Sequence, residues 1–240
     1  MAKLFFRYGA MGCGKTMQLL QVAFNYEERG HKICVIKPVT DTKNDTKLLT
    51  RIGPERQTDF CTQPTTDIYQ RVKNDYADVS CVLVDEAQFL TAGQVDQLLR
   101  ITTDLDIPVM AYGLRLNFRL DDKGFEGATR LLQLAHEIDE IKTICDCGHR
   151  ATLNLRFIND ELVTDGPDIL IDDGKTEITY RALCPKCYFK HLEKSTAGKR
   201  SSATSATSTT PATSATSTTS ATSATSTHSS AKPSTTKRSK

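Results

Sequence analysis

The chain has 240 residues, with 31 Lys or Arg against 29 Asp or Glu and a formal net charge of +2 at pH 7. Six of the bases and none of the acids lie from Ser195 onward, so the first 194 residues carry 25 bases against 29 acids. That net of −4 gives no support to a nucleic-acid-binding core. No apolar run approaches the ~18–20 residues of a membrane span. Met1-Ala2-Lys3 runs directly into an apolar strand, without the regions of a signal peptide. The expectation is a cytoplasmic protein with no membrane partner.

Leu4 to Tyr8 reads as a short buried strand, and Met17 to Arg29 as a helix with Leu19, Leu20, Ala23 and Phe24 on one stripe. Between them stands Gly9-Ala10-Met11-Gly12-Cys13-Gly14-Lys15-Thr16, which fits G-x-x-x-x-G-K-[ST]. A loop that wraps a phosphate with its own N–H groups needs small residues, and glycine also reaches positive φ. The following helix turns its N-terminal N–H groups toward the same anion. Lys15 is expected on the β- and γ-phosphates of a nucleoside triphosphate, and the Thr16 hydroxyl on Mg²⁺.

Ile33 to Ile36 is a continuous apolar run, as a strand covered on both faces of a parallel sheet requires. Val39 to Thr62 shows no period and reads as a long loop, containing Asp41-Thr42-Lys43 and Arg51-Ile52-Gly53-Pro54. Thr66 to Tyr76 reads as a helix. Cys81 to Val84 is the next buried strand, and it ends at Asp85-Glu86-Ala87-Gln88-Phe89. Acids at the C-terminal end of a parallel strand lie where open α/β sheets bind ligands. Asp85 is placed to hold Mg²⁺, and Glu86 to act as a base beside the γ-phosphate. Ala92 to Thr103 and Ala128 to His136 read as helices, Ile107 to Tyr112 and Glu140 to Ile144 as strands. Residues 113–119 form another loop at the same end of the sheet.

Cys145-Asp146-Cys147 and Cys184-Pro185-Lys186-Cys187 bracket an excursion in which Ala151 to Ile158 and Ile178 to Arg181 read as strands. Four thiolates from two short knuckles suit tetrahedral Zn²⁺, which would supply folding energy to a module too small for its own core. Redox thiols are the alternative. His149 and His191 flank the knuckles and read as solvated; Cys34 and Cys81 read as core residues. From Ser195 the chain is almost entirely Ser, Thr and Ala, with a repeat beginning at Ala203, Ala212 and Ala221. A segment with so little apolar surface is expected to be a disordered tail. The expected organisation is a P-loop nucleotide-binding domain over 1–144, a zinc-binding module over 145–194 and a tail over 195–240.

The combination of G-x-M-x-x-G-K-T, D-E-x-Q-F and Tyr180-x-x-x-Cys184-x-x-Cys187 resembles the type II thymidine kinases over about residues 3–190. The resemblance implies an α/β fold: a RecA-like P-loop domain with a parallel central sheet, and a small zinc-ribbon-like module carrying a lasso loop. It implies phosphate transfer from ATP to the 5′-hydroxyl of thymidine in nucleotide salvage, with Glu86 as proton acceptor. Asp85 and Gln88 match nucleotide and Mg²⁺ positions. Phe89 and Phe118 match aromatics around the sugar and base, Met11 and Leu114 apolar walls near the thymine methyl, and Tyr180 the lasso tyrosine. Zinc is then structural, and a homo-oligomer, tetramer or dimer, is implied. The chain departs from the family at Ile171-Asp172-Asp173-Gly174 in place of I-G-G, and at Lys43 in place of the arginine of D-x-R. Asn154 stands for a frequent threonine, and extra residues separate Phe118 from Phe125. A-M-G-C-G-K-T followed by D-E-A-Q also resembles a DEAQ-type helicase, but such enzymes need a second RecA-like domain. A zinc-ribbon binding module whose P-loop only senses ATP is a third reading.

Overall fold

The structure, a computed structural model, describes residues 1–39, 46–119, 124–167 and 176–204, with side chains described through Ser195. Asp41-Thr42-Lys43, Ile171 to Gly174 and the chain beyond Thr204 lie outside the described residues.

Strands β1 (Leu4–Gly9), β2 (Ile33–Pro38), β5 (Phe60–Thr62), β6 (Cys81–Val84), β7 (Val109–Gly113) and β8 (Glu137–Ile141) form one sheet in the order β5-β2-β6-β7-β1-β8. Every pairing in it is parallel. Successive side chains of a strand point to opposite faces, and both faces here are covered. Leu4 and Phe6 of β1, Cys34 and Ile36 of β2, Val82 and Val84 of β6 enter one core. Ile33, Val35, Cys81 and Leu83 enter the other. The first core is closed by α2 (Ile68–Asp75), α3 (Ala92–Asp104) and α4 (Glu126–Leu134) through Ile68, Val72, Val95, Leu98, Ile101, Ala128 and Leu131. The second is closed by α1 (Lys15–Glu27) through Leu19 and Ala23. Each fully buried aliphatic side chain stabilises the fold by about 1.5–3 kcal/mol. The uninterrupted apolar runs of β2 and β6 follow from this two-sided burial.

The structure differs from the sequence reading at four places. Residues 47–57 are a hairpin of β3 (Lys47–Leu49) and β4 (Glu55–Gln57), followed by β5, where a loop is expected. These three-residue strands are too short to show a period. The run expected as one strand over 140–144 is split, with β8 ending at Ile141 and β9 (Thr143–Ile144) pairing with β10 (Arg150–Ala151). β12 (Glu161–Val163) extends the module's sheet, in the order β12-β11-β13, with β11 (Leu153–Ile158) and β13 (Ile178–Leu183). Finally, α5 (Pro185–Thr204) runs through the boundary expected at Ser195.

Helix α4 meets the 3₁₀ turn Ala87–Phe89 at Gly127. A Cβ there would lie 2.5 Å from the carbonyl oxygen of Leu90, 2.7 Å from that of Ala87 and 3.0 Å from that of Gln88. Backbone cannot swing aside as a flexible side chain can. Gly127→Ala is therefore expected to destabilise the protein by about 1–3 kcal/mol, read as a lower midpoint in thermal unfolding.

Candidate active site

β1 ends at Gly9 and the chain turns through residues 10–14 into α1. Gly12 has φ 73° and Gly14, the N-cap, φ 88°, a region other residues enter at a cost. No side chain caps α1, and its first turn carries no acid. Its N-terminal N–H groups are therefore available to an anion. Lys15 is buried and folds back over the loop, with Nζ 3.1 Å from the Ala10 carbonyl and 3.9 Å from Cys13 Sγ.

Thr16 Oγ1 donates to Asp85 Oδ2 at 3.0 Å, so the loop and the end of β6 are joined directly. Asp85 is 3% exposed, and its Oδ1 has no hydrogen-bond partner. Burial first, then the charge of Glu86, pushes the Asp85 carboxyl up to about 7. A cation at Oδ1 would reverse that shift, and the hard oxygens of Thr16 and Asp85 suit Mg²⁺. Glu86 stands in the left-handed region at φ 49° and accepts a 2.5 Å hydrogen bond from Gln88 Nε2. Gln88 is buried, and its Oε1 accepts from the Leu114 N–H at 3.0 Å. Gln88 thus ties Glu86 to the loop after β7, with both ends of its amide engaged within the protein.

Met11, Gly12, Gly14, Lys15, Thr16, Glu86 and Leu114 line one cleft of about 450 Å³. Residues 49–52 of the β3–β4 hairpin line it as well; they fall in the stretch expected as a long loop and carry no site role in the sequence reading. The Arg51 guanidinium nitrogen would stand 3.4 Å from a Cβ built on Gly12. Gly9, Ala10, Cys13, Asp85 and Gln88 support the cleft without lining it. Phe89, half-buried, lies edge-to-face on Phe125 with centroids 5.3 Å apart. Phe118 and Tyr180 stand outside the lining too: Phe118 is 4% exposed beneath Arg156, whose partner across β11 and β13 is Tyr180.

The Sγ atoms of Cys145, Cys147, Cys184 and Cys187 all lie within 4.8 Å of one another. Cys147 and Cys184 are 3.6 Å apart, close to the edge of a tetrahedron with Zn–S bonds of about 2.3 Å. Hydrogen bonds with Cys147 and Cys184 push the Cys187 thiol up. Four thiols this close share protons unless a cation replaces them, so the cluster fits a metal such as zinc. His149 Nδ1 reaches Cys147 Sγ at 3.4 Å, and His191 packs edge-on against Phe157.

The module also reaches into the P-loop. Asn154 is 3% exposed; its Oδ1 accepts from the Met11 N–H at 2.8 Å, and its Nδ2 donates to the Leu116 carbonyl at 3.4 Å. The sequence reading notes Asn154 only as a departure. Alternating with Leu153 and Leu155 and followed by Arg156, Asn154 has the pattern of the polar face of a half-buried strand, so no local signal marks it.

The profile described as thymidine kinase matches residues 2–188. The thymidine kinase of Streptococcus gordonii is 42% identical over 192 residues, covering 79% of this chain and 97% of that protein. That of Chromobacterium violaceum is 41% identical over 191 residues, covering 78% and 98%. Among solved structures, the Pif1 helicase of Candida albicans is similar at a TM-score of 0.34 and 11% identity, over 60% of this chain and 36% of that one. A likeness so slight bears on neither activity nor partner.

Proposed function

The chain belongs to the thymidine kinase family, and on that premise we propose that it transfers the γ-phosphoryl group of ATP to the 5′-hydroxyl of thymidine. Deoxyuridine is a second acceptor, the products are ADP and the nucleoside monophosphate, and the reaction serves pyrimidine deoxynucleotide salvage. The observation that carries this reading is that Glu86 lines one and the same cleft as Lys15 and Thr16 of the P-loop, together with Met11 and Leu114.

The loop and the N-terminus of α1 hold the donor phosphates, with Lys15 swinging from Ala10 onto the β- and γ-oxygens. Thr16 and Asp85 hold Mg²⁺, which when bound offsets charge on those oxygens. Glu86 accepts the proton of the 5′-hydroxyl as that oxygen attacks in line. Gln88 orients Glu86. Met11 and Leu114 form the wall against the thymine methyl, with Phe89, Phe118 and Tyr180 completing the nucleoside side. Zinc in the four-cysteine cluster is structural, since four thiolates leave no open position. We assign the phosphotransfer domain to residues 1–144, the zinc and lasso module to 145–194 and the remainder, into which α5 continues as far as Thr204, to a tail. No described helix is long and apolar enough to cross a membrane. A cytoplasmic homo-oligomer, tetramer or dimer, completes the proposal.

Purified protein is incubated with ATP, Mg²⁺ and thymidine, deoxyuridine, deoxycytidine or no acceptor. Monophosphate is expected with the first two nucleosides. ATP hydrolysis stimulated by polynucleotide and indifferent to nucleosides overturns the reading.

A further inference from the structure

Strand β11 has two unlike faces. Leu155 and Phe157 are buried in the core of the cysteine module, with Leu153 beside them. The alternate positions are polar yet equally buried, Asn154 at 3% and Arg156 at 1% exposure. Arg156 heads the largest fully buried side chains of the described residues. A buried guanidinium is costly unless its donors are met, and among the described residues no carboxylate pairs with it. Its Nη1 donates to the Pro167 carbonyl and its Nη2 to the Asp165 carbonyl, both at 2.5 Å. Its buried Nε has no hydrogen-bond partner among the described residues, and the remaining compensation is aromatic: the guanidinium carbon sits 3.8 Å from the centroid of the Phe118 ring.

Arg119 completes the arrangement. Its Nη1 donates to the Gly166 carbonyl at 2.6 Å, and its guanidinium lies 5.3 Å from the same ring. The consecutive carbonyls of residues 165–167 are thus held by two guanidiniums that share Phe118. The backbone of Phe118 is held as well, since Tyr188 Oη donates to its carbonyl at 3.3 Å, one residue beyond Cys187. Ring, chain limb and cysteine knuckle form one connected unit, and Arg156 is its only member bonded to both the ring and two of the carbonyls.

We propose that Arg156 is a positioning residue for the nucleoside acceptor, fixing the Phe118 ring and the 165–167 limb in one frame before the nucleoside arrives. This rests on the reading that Phe118 belongs to the nucleoside side. Without Arg156 the ring and the limb must be ordered at the moment of binding, and that entropy is taken from nucleoside affinity. Donor phosphates are held by other groups and do not depend on this frame. Lysine cannot substitute, because a single ammonium lacks the planar fork that spans two carbonyls while stacking on a ring.

The test is steady-state kinetics of the full chain with zinc content and thermal midpoint measured alongside. Arg156→Lys is expected to raise the thymidine KM about tenfold, the size of one lost charge-assisted hydrogen bond. The KM for ATP and the kcat at saturating thymidine should stay within about twofold. Arg119→Gln, which removes only the outer hold, is expected to raise the thymidine KM about threefold. A merely structural role gives the opposite pattern: kcat falls with the zinc-loaded fraction while both KM values hold, and that result overturns the proposal. So does an equal rise in both KM values. If R156K does not fold, R119Q carries the test, and an unchanged thymidine KM in R119Q overturns the proposal. Unchanged variants of an enzyme that phosphorylates thymidine remove only this inference, whereas an inactive native enzyme removes the functional reading beneath it as well.

Discussion

Glu86→Gln should lower thymidine phosphorylation by about 10²–10⁴-fold, the usual size of general-base catalysis, while ATP binding stays near its native strength. The substitution keeps the shape of the side chain and its place in the cleft, and removes its charge together with the ability to accept a proton. The backbone favours this specialised position: a non-glycine residue at φ 49° is held there against its preference. The short bond from Gln88 then fixes where the carboxylate points. The residues proposed to bind the phosphates are 9–16, at the N-terminus of α1, and none of them hydrogen-bonds to the Glu86 carboxylate in the structure. Full activity in the variant would remove Glu86 from the role of base.

The same variant has a second, independent readout. The Asp85 carboxyl is pushed up to about 7 from its ordinary 3.8, by burial first and the Glu86 charge second. A carboxyl raised in the folded state contributes stability that is full below its unfolded value and is lost as pH rises through the folded value. In the native protein without Mg²⁺, that contribution is therefore lost between about pH 4 and pH 7. Removing the Glu86 charge removes the second cause and shrinks the loss. E86Q should melt higher than the native protein at pH 8, and the difference should vanish toward about pH 2, where Asp85 is protonated in the folded and the unfolded chain alike. A residue whose loss abolishes activity and raises stability is one the fold maintains for chemistry.

How much of this was legible in the sequence depends on the scale of the signal. Cys81 to Val84 followed by Asp85-Glu86 announces both a two-sided strand and its ligand-bearing end, because burial on both faces leaves no polar alternation. The P-loop and the paired cysteines are legible for a similar reason: their chemistry sits in spacing along the chain. The hairpin at 47–57 is not, since its two strands of three residues each bury one residue at most and a tip carrying exposed Leu49 and Ile52 looks like any loop. Asn154 and Arg156 are invisible for another reason. Polar residues alternating with Leu153, Leu155 and Phe157 read as the wet face of a half-buried strand, yet that face is as dry as the other. Only the tertiary structure supplies the Met11 N–H and the 165–167 carbonyls that make their burial affordable.

Cys184→Ala should leave a chain without bound zinc that loses thymidine phosphorylation by more than about 100-fold and still binds ATP. Zinc bound at four thiolates contributes about 10–16 kcal/mol of apparent free energy to small modules. The core it would support here is small: five aliphatic or aromatic side chains and Ala151 beside the cysteines. Without the metal, that core cannot offset the ordering of β11, β12 and β13. The consequences then follow known bonds. Tyr188 releases the Phe118 carbonyl, Arg156 releases the ring and the limb, and Asn154 releases the Met11 N–H. The first two losses fall on the nucleoside side, and the third touches the P-loop at a single N–H. The six-stranded sheet has its own two cores and keeps Lys15, Thr16 and Asp85 in place. Circular dichroism, zinc content and ATP-induced thermal shift, measured on the same samples, separate these effects. Redox thiols predict something else: Cys184→Ala would retain native thymidine affinity under reducing conditions, and chelation would change nothing. A zinc-free protein with native thymidine KM would show that the metal does not hold the nucleoside wall, and that the sheet alone positions Phe118.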